Sequence, residues 1–413
     1  MNHHEVIIIG GGAAGMMCAI ACKDFGLDVA ILEGSDRIGK KLLTTGNGRC
    51  NITNKSIEAP FISYHSQNKG FFTKALSSFS VDDTIGFFQG IGLPIVTLEN
   101  NKMFPMSLQA SSVIDIFRMA LEDRTIPIYT NHKVSSISKD ISNFIINVKN
   151  VDCSFSCNKL VLACGGKSLA NTGCDGSGYT LAKTFGHSII TPLPGLVQLK
   201  LNYPRLKALS GIKFDGVAEI LIEDVVQRQE IGEILFTDYG ISGPPILQLS
   251  TIASLALHSK KKVSIKVDLL PHMEYHTMVD FLESHFAVFN YRSVSDCLVG
   301  IINKKLIPVI LKEASIDSIH KAAIELSWEE KHNLYELLKS WTFEVSDTNS
   351  FSNAQVTLGG VDTKEVYPHS LESKLSTGLF FCGEILDVNG DCGGFNLQWA
   401  WSSAMVVARN CSR

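Results

Sequence analysis

Residues 6–26 read VIIIGGGAAGMMCAIACKDFG. Val6–Ile9 is a fully apolar, β-branched run, the pattern of a central strand covered on both faces. It enters Gly10, Gly12 and Gly15 in GxGxxG spacing, and the small apolar residues that follow predict a helix through about Phe25. Leu27–Leu32 predicts a second strand ending at Glu33, which completes a β-α-β unit in about thirty residues. Gly10 permits the tight turn, Gly12 lets backbone approach a diphosphate, and Gly15 allows close helix–strand contact. The free N–H groups and dipole of the helix favour the phosphate charge. Glu33, twenty-three residues beyond Gly10, stands where a carboxylate accepts from a ribose 2′-OH. Packing alone can account for the glycines, but not for the strand, helix and terminal carboxylate together. The segment predicts a dinucleotide site.

Outward from this unit, residues 34–54 form a loop dense in glycine, threonine, asparagine and basic residues, GSDRIGKKLLTTGNGRCNITN. Helices are expected near Gly70–Gln89 and Ser111–Arg124, a strand meander over Lys133–Val151, and a buried strand at Lys159–Ala163. The character changes near Pro192 and Pro194. Strands are expected at Leu196–Leu201, Phe214–Ile222, Gln229–Phe236 and Val263–Asp268, and residues 272–341 read as mostly helical. Gln355–Leu358 and Gly378–Cys382 return as strands, before an apolar helix from about Phe395 to Ala408. The expected fold class is α/β, with a discontinuous nucleotide-binding domain over 1–192 and 355–413. A β-rich insert occupies 193–271 plus 342–354, and a helical subdomain 272–341.

The chain has 413 residues, 45% apolar and 19% charged, so it can bury a large core and is not a disordered or disulfide-scaffold sequence. Its 37 Lys+Arg against 41 Asp+Glu give a formal charge of −4, which offers no general basic field for nucleic acid. Lys260–Lys262 and Lys304-Lys305 are the lysine runs of the inserted region, and a solvated turn and helix face account for them. Eleven scattered cysteines without paired CxxC motifs predict a reduced, cytoplasmic protein. No basic leader precedes Val6, and Tyr239–Leu257 carries Gly, Pro, Gln, Ser and Thr, so a turn and buried helix are expected there rather than a membrane span. Among the histidines, His187 and His320 lack companions, and His272 with His276 are too few ligands for a metal. No metal is expected.

The far C-terminus repeats the theme of glycine at a strand end. Phe380–Asp387 is followed by Gly393-Gly394-Phe395-Asn396 opening a helix. One extended ligand touching both chain ends explains this, and FAD is extended. Asp387 is then a candidate acceptor for a ribityl hydroxyl. Amides near Gly394–Asn396 could meet the flavin O2/N1 edge at a helix N-terminus. Lys41 and Arg49 are candidates for a flavin phosphate or an anionic substrate, and solvated loop charges are the ordinary alternative. Cys50 invites a redox role but has no partner within CxxC reach, so a small packing residue is preferred. Tyr239, beside Asp238 at the end of a strand, is a candidate proton donor or a turn residue. Trp399 and Trp401 are expected in the core.

Five blocks carry a family resemblance: GGGAAG at 10–15, KLLTTGNGRCNITN at 41–54, FTDYGISGPPILQLS at 236–250, VTLGGV at 356–361 and GLFFCGEILDVNGDCGGFNLQWAWSSA at 378–404. In these the chain resembles the BaiN-like, or aminoacetone-oxidase-like, FAD-binding flavoproteins. The resemblance implies a glutathione-reductase-type FAD domain with an inserted β-barrel-like domain and a helical subdomain. It implies noncovalent FAD contacted by Gly10, Gly12, Ala13, Ala14, Gly15 and Glu33. It adds Lys41, Leu42, Thr45, Gly46, Asn47, Arg49, Cys50 and Asn51 from the loop, Val134 at the adenine, and Gly165. From the last block it adds Gly383, Glu384, Asp387, Gly394, Phe395 and Asn396. Many members have glycine at the positions of Asn47 and Ala404. Asn47 keeps tolerance for positive φ and adds an amide that could reach flavin or substrate.

The implied activity is an FAD-dependent oxidoreductase acting on a small organic substrate. No second complete GxGxxG follows a strand, so NAD(P)H would be a transient donor rather than the tenant of its own domain. An amine or aminoketone oxidase using oxygen is the alternative enzyme. A flavin-dependent nucleic-acid modifier and a noncatalytic flavoprotein are the readings from other classes. Oligomeric state and the catalytic acid or base stay open, with Asn47, Arg49, Cys50 and Tyr239 the candidates.

Overall fold

A computed structural model describes residues 2–149 and 153–413. The chain forms two compact units, Met1–Leu193 with Ala354–Arg413, and Pro194–Asn353.

The first unit is built on β1 (Asn2–Ile9), β2 (Val29–Leu32), β3 (Ile128–Tyr129), β4 (Val134–Lys139), β5 (Phe144–Val148) and β6 (Ser154–Leu162). Their order is β3-β2-β1-β6-β5-β4. β1 runs parallel to both β2 and β6. β6 changes partner along its length: Ser154–Cys157 pairs antiparallel with β5, and Leu160–Leu162 pairs parallel with Leu379–Phe381. The continuous apolar runs at Val6–Ile9 and Val29–Leu32 are buried throughout, as a parallel sheet covered on both faces requires. The first helix, Ala13–Asp24, buries every residue from Ala14 to Cys22. It is apolar all round because it packs against both the sheet and the last helix, Phe395–Cys411. The end of the expected meander, residues 150–151, lies outside the described residues.

The single helical stretch expected over Gly70–Gln89 is two helices, Thr73–Ser78 and Val81–Gly90. Ser80 separates them in extended conformation and caps the second. Its hydroxyl accepts from the Asp83 amide at 3.2 Å while the Asp83 carboxylate accepts from the Ser80 amide at 2.7 Å. Val356–Val361 pairs with Ile189–Gly195, a strand the sequence reading did not include because its two prolines argue against one.

The second unit is a closed barrel of β7 (Leu199–Asn202), β8 (Lys213–Ile222), β9 (Val225–Phe236), β10 (Gly240–Ser242), β11 (Val263–Asp268) and β12 (Trp341–Thr348), in the order β7-β10-β9-β8-β11-β12. Glu223 and Asp224 turn the β8–β9 hairpin with φ of 49° and 63°. Trp341, expected in the helical segment, instead opens the closing strand. Its alternation with Phe343 and Val345 sends all three into the barrel core beside Phe236. Met278, Leu282, Leu334 and Leu338 of the following helices belong to the same hydrophobic cluster as Ile220, Ile234 and Ile265 of the barrel. The helices thus share the barrel's core rather than building one of their own. Among the described residues no helix is long and apolar enough to cross a membrane.

In the first unit, His187 is buried with Nε2 2.7 Å from Ser373 Oγ and Nδ1 3.3 Å from Glu365 Oε2. Burial lowers its pKa, and the attraction of Glu365 only partly offsets this. The unfolded chain therefore binds the proton more readily than the folded one, and stability falls as pH drops through the ordinary histidine value of about 6.5. We predict that His187→Gln is less stable at neutral pH yet loses less on acidification. Urea midpoints of both proteins at pH about 7.5 and about 5.5 measure this, and equal slopes would remove His187 as the cause.

Candidate functional site

β2 and β3 lie on one side of β1 and β6 on the other, so chain order reverses at the carboxyl ends of β1 and β6. Open parallel sheets bind ligands in that crevice. Gly10 leaves β1 there at φ 111°, and a Cβ on it would stand 2.5 Å from the Ala163 carbonyl oxygen. A Cβ on Gly15 would overlap the Gly10 carbonyl oxygen. Gly12 is different. Among the described residues no atom beyond its own chain neighbours and helix backbone lies within 4 Å of where its Cβ would be, and no side chain caps the helix it opens. Uncapped N–H groups thus face open space, which suits an anion.

A line of half-exposed residues runs along this edge, where Gly10, Gly12, Ala13, Cys164, Gly165 and Glu384 emerge from buried flanks and Glu33 follows the buried Leu32. It continues through residues 391–394. The segments meet in space: a Cβ on Gly383 would stand 2.9 Å from Ala14 Cβ, and one on Gly165 4.0 Å from Glu384 Oε2. Glu33 already holds the glycine loop, its Oε2 accepting from the Gly11 amide at 2.8 Å and its Oε1 from Ser35 at 2.7 Å. Each oxygen keeps a second lone pair for a ribose hydroxyl. Val134 is buried at the start of β4, and a Cβ on Gly34 would touch the Lys133 side chain beside it.

Lys41 differs from the expectation of a free cation. Its Nζ donates to Glu384 Oε2 at 2.6 Å and Ser168 Oγ at 2.7 Å. Burial pushes the ammonium's pKa down, but the adjacent Glu384 carboxylate more than offsets this and holds it above its ordinary value. Glu384 Oε1 also accepts from the Thr357 amide at 2.7 Å, and Thr357 Oγ1 accepts from the amides of Lys167 and Ser168. The sequence reading missed Ser168 and Thr357. Nothing local marks them, since their partners lie on separate segments, 27 to 216 residues away.

The loop 42–54 is irregular and strained. Gly46, Asn47, Gly48 and Cys50 have φ of 57°, 54°, 81° and 59°. Asn47 does adopt the positive φ that its type tolerates. Leu42 is buried, and Thr45 Oγ1 donates to its carbonyl at 2.6 Å. Cys50 is buried, and burial pushes its thiol up to about 12, so it stands as a thiol at neutral pH. Asn51 is buried too, with an Oδ1 that finds no protein donor among the described residues. Arg49 is exposed and stands over the Phe104 ring, 5.1 Å from its centroid. The last helix anchors the loop: Trp401 Nε1 donates to the Ile52 carbonyl at 2.9 Å, and Thr53 Oγ1 to Gln398 Oε1 at 2.6 Å.

In the last block, Asp387 is buried, and its pKa is raised by that burial, against hydrogen bonds from the Gln67 amide at 2.8 Å and Ser66 at 3.3 Å. Gly394 caps the last helix at φ 101°, and a Cβ there would stand 2.5 Å from the Thr53 carbonyl oxygen. Asn396 uses its side chain on the backbone of Gly390 and Asp391, leaving the helix's first-turn amides rather than its amide group as ligand donors. Phe395 and both indoles are buried. His65, also missed in the sequence, lies on this segment with Nε2 3.1 Å from Asp391 Oδ1. Tyr239 belongs to the second unit, 37% exposed, and its carbonyl accepts from the Leu201 amide. The first unit thus gathers the other candidates without it.

Residues 4–410 match the family described as HI0933-like protein Rossmann domain. The chain belongs to this family. It is 38% identical over 408 residues to the 3-dehydro-bile acid delta(4,6)-reductase of Clostridium scindens, covering 98% of each chain. It is 30% identical over 412 residues to the ribosomal RNA dihydrouridine synthase of Escherichia coli, covering 99% of this chain and 98% of that one. A solved 3-ketosteroid delta1-dehydrogenase from Sterolibacterium denitrificans superposes with a TM-score of 0.50 at 12% identity, with both chains fully covered. That likeness concerns the fold alone. The BaiN-like resemblance read from the motif blocks holds, as does the α/β FAD-binding fold with its inserted barrel and helices. The protein is an FAD-dependent oxidoreductase acting on a small organic substrate.

Two outcomes follow from the crevice. Gly12→Ala should melt within a degree or two of the parent while losing FAD affinity, because its methyl enters the open space alone; Gly15→Ala should fail to fold stably. Thermal melts with and without FAD separate them, and equal losses would deny Gly12 its ligand-facing place. Lys41→Met should cost about 3 kcal/mol by stranding Glu384, and the double variant K41M/E384Q should recover much of it. A double variant no better than the single would show that the ion pair is not the source of the loss.

Proposed function

We propose that the protein reduces a carbon–carbon double bond conjugated to a carbonyl group, with FAD in the crevice and NAD(P)H as a transient donor. The observation that carries the reading is a shared bond. A 3-oxo ring system unsaturated at position 4 and the uracil ring of uridine both hold an alkene conjugated to a carbonyl, and relatives named for saturating each span the whole chain. The 38% identity to the first against 30% to the second, with a net charge of −4, favours an apolar small molecule over RNA.

The residues fit FAD by the open space at Gly12 and the half-exposed line of residues beyond it. Amides of Gly12, Ala13 and Ala14 bind the diphosphate, Glu33 orients a ribose, and main chain at Val134 meets the adenine. Gly10, Gly15, Gly165 and Gly383 keep the backbone close enough for this. Lys41, clamped to Glu384, holds the loop of Leu42, Thr45, Gly46, Asn47, Cys50 and Asn51 against the last block. Asp387 accepts a ribityl hydroxyl, and the first turn at Gly394, Phe395 and Asn396 places a helix's positive end at the ring. Bound there, FAD supplies reversible two-electron transfer. A cytoplasmic setting is supported by eleven scattered cysteines without paired CxxC motifs.

The test is anaerobic stopped-flow spectroscopy of the FAD-loaded protein. NADH or NADPH should bleach the flavin, and a 4-en-3-one steroid or cyclohexenone should restore its absorbance without oxygen. Restoration only by a uridine-containing RNA would move the substrate to nucleic acid. Bleaching by aminoacetone and not by a nicotinamide would replace the reading with the oxidase.

A further inference from the structure

We propose that Arg49 is the carbonyl-binding group of this reduction, held over Phe104 by a strained turn. The inference rests on the alkene-reduction reading and names the chemistry by which the same site grips its substrate: an apolar molecule presenting a ketone oxygen.

Four features of the first unit support it. The turn around Arg49 has left-handed φ at Gly46, Asn47, Gly48 and Cys50, and for Cys50 that is a conformation its Cβ resists. Strain of this kind collects where a structure must present a side chain. The buried Cys50 keeps the turn in place, its amide donating to the Thr45 carbonyl at 3.0 Å. Second, the guanidinium is unspent. Lys40, Lys41 and Lys133 in the same region pair with Asp36, Glu384 and Asp175, but among the described residues no carboxylate lies within ion-pair distance of Arg49. Its N–H donors therefore stay available for an oxygen that is not the protein's own.

Third, the contact with Phe104 fixes the guanidinium without using those donors, because the ring face attracts the cation and leaves its in-plane N–H groups free. Phe104 is itself rigid, buried in the strand Lys102–Pro105, whose Met103 carbonyl accepts from the Ile52 amide at 2.8 Å. Fourth, the hairpin that carries Phe104 leaves Leu98, Met106 and Leu108 exposed. Exposed large apolar residues close in sequence to the ring that holds the cation suit an apolar molecule with one polar end better than a solvated surface.

Hydride from the reduced cofactor forms a bond to the alkene's β-carbon. The alkene π pair moves between the α-carbon and the carbonyl carbon, and the carbonyl π pair moves onto oxygen. Guanidinium N–H groups of Arg49 bind that oxygen more strongly as it becomes an enolate, which lowers the barrier. The enolate then re-forms the carbonyl, and the α-carbon takes a proton from water. NAD(P)H restores the reduced cofactor.

The experiment compares FAD-loaded parent protein with Arg49→Met and Arg49→Lys in separate half-reactions. Flavin reduction by NAD(P)H should change less than about twofold, whereas reoxidation by the enone should slow about 10²–10³-fold in Arg49→Met. Arg49→Lys should retain part of the rate through a single donor. Binding of the saturated ketone to the oxidised protein, read from the flavin spectrum, should weaken about tenfold, which corresponds to about 1.4 kcal/mol. Millimolar guanidinium ion should restore reoxidation in Arg49→Met. Reoxidation of Arg49→Met at the parent rate overturns the proposal, and so does loss of FAD from both variants, which would make Arg49 a cofactor ligand. If no enone reoxidises the parent protein, the failure lies already in the alkene-reduction reading and both fall.

Discussion

Everything at the crevice depends on how closely main chain can pass main chain at the carboxyl end of β1. The Gly10 backbone lies so near Ala163, and the first helix so near Gly10, that neither Gly10 nor Gly15 has room for a methyl group. That approach aims the helix N-terminus at the switch point between β1 and β6, with Gly12 facing the space in front of it. A side chain at either tight position would tilt the helix away, and with it the uncapped first turn that Gly12 opens. The same closeness brings the ends of the chain together. Ala14 meets Gly383, and the last helix, sharing the core of the first, carries Gly394 to the carbonyl of Thr53.

Electrostatics then sorts the basic residues of the glycine-rich loop into two kinds. Lys41 lies 2.6 Å from Glu384 and mainly joins the loop to the last block; it is a clamp with little charge left over. Among the described residues Arg49 has no such partner, and it is exposed. Two cations eight residues apart, equivalent by composition, are therefore opposite in role. Lys41 precedes the left-handed turn and is half-buried, whereas Arg49 lies within it and is exposed.

What was legible in the sequence follows the range of the interaction that fixes it. The β-α-β unit, the buried first helix and the turn before the last helix are set by neighbours in the chain, and their glycines and apolar runs announced them. The break at Ser80 was legible in principle, since a serine followed three residues later by an aspartate is a capping signal within the expected helix. Ser168 and Thr357 were not, because each is defined by a partner on a remote segment: Ser168 by Lys41 and Glu384, Thr357 by the amides after Gly166. Trp341 was misplaced for a related reason. A tryptophan after a helical run reads as more helix until Phe236, far away in sequence, supplies the barrel interior that takes it, although the alternation of Trp341, Phe343 and Val345 was a local strand signal.

A family that holds relatives named for a bile-acid reductase and a ribosomal RNA dihydrouridine synthase across nearly the whole chain separates reaction from substrate. The parts that would carry the electron chemistry here are backbone amides and glycines, which have no side chain with which to select a substrate. Selection must then come from side chains outside that frame, and on the Arg49 proposal they lie on the turn at Asn47–Arg49 and on the segment 95–108 that carries Phe104. Its apolar residues reach solvent while its anchor points, Ile52 on Met103 and Phe104 under Arg49, stay fixed. Such a hairpin can change its outward residues without disturbing the fold, because none of them packs in the core. Substrate preference in this chain would therefore change first by substitutions at Leu98, Met106 and Leu108, long before any change at Gly10, Gly12 or Gly15.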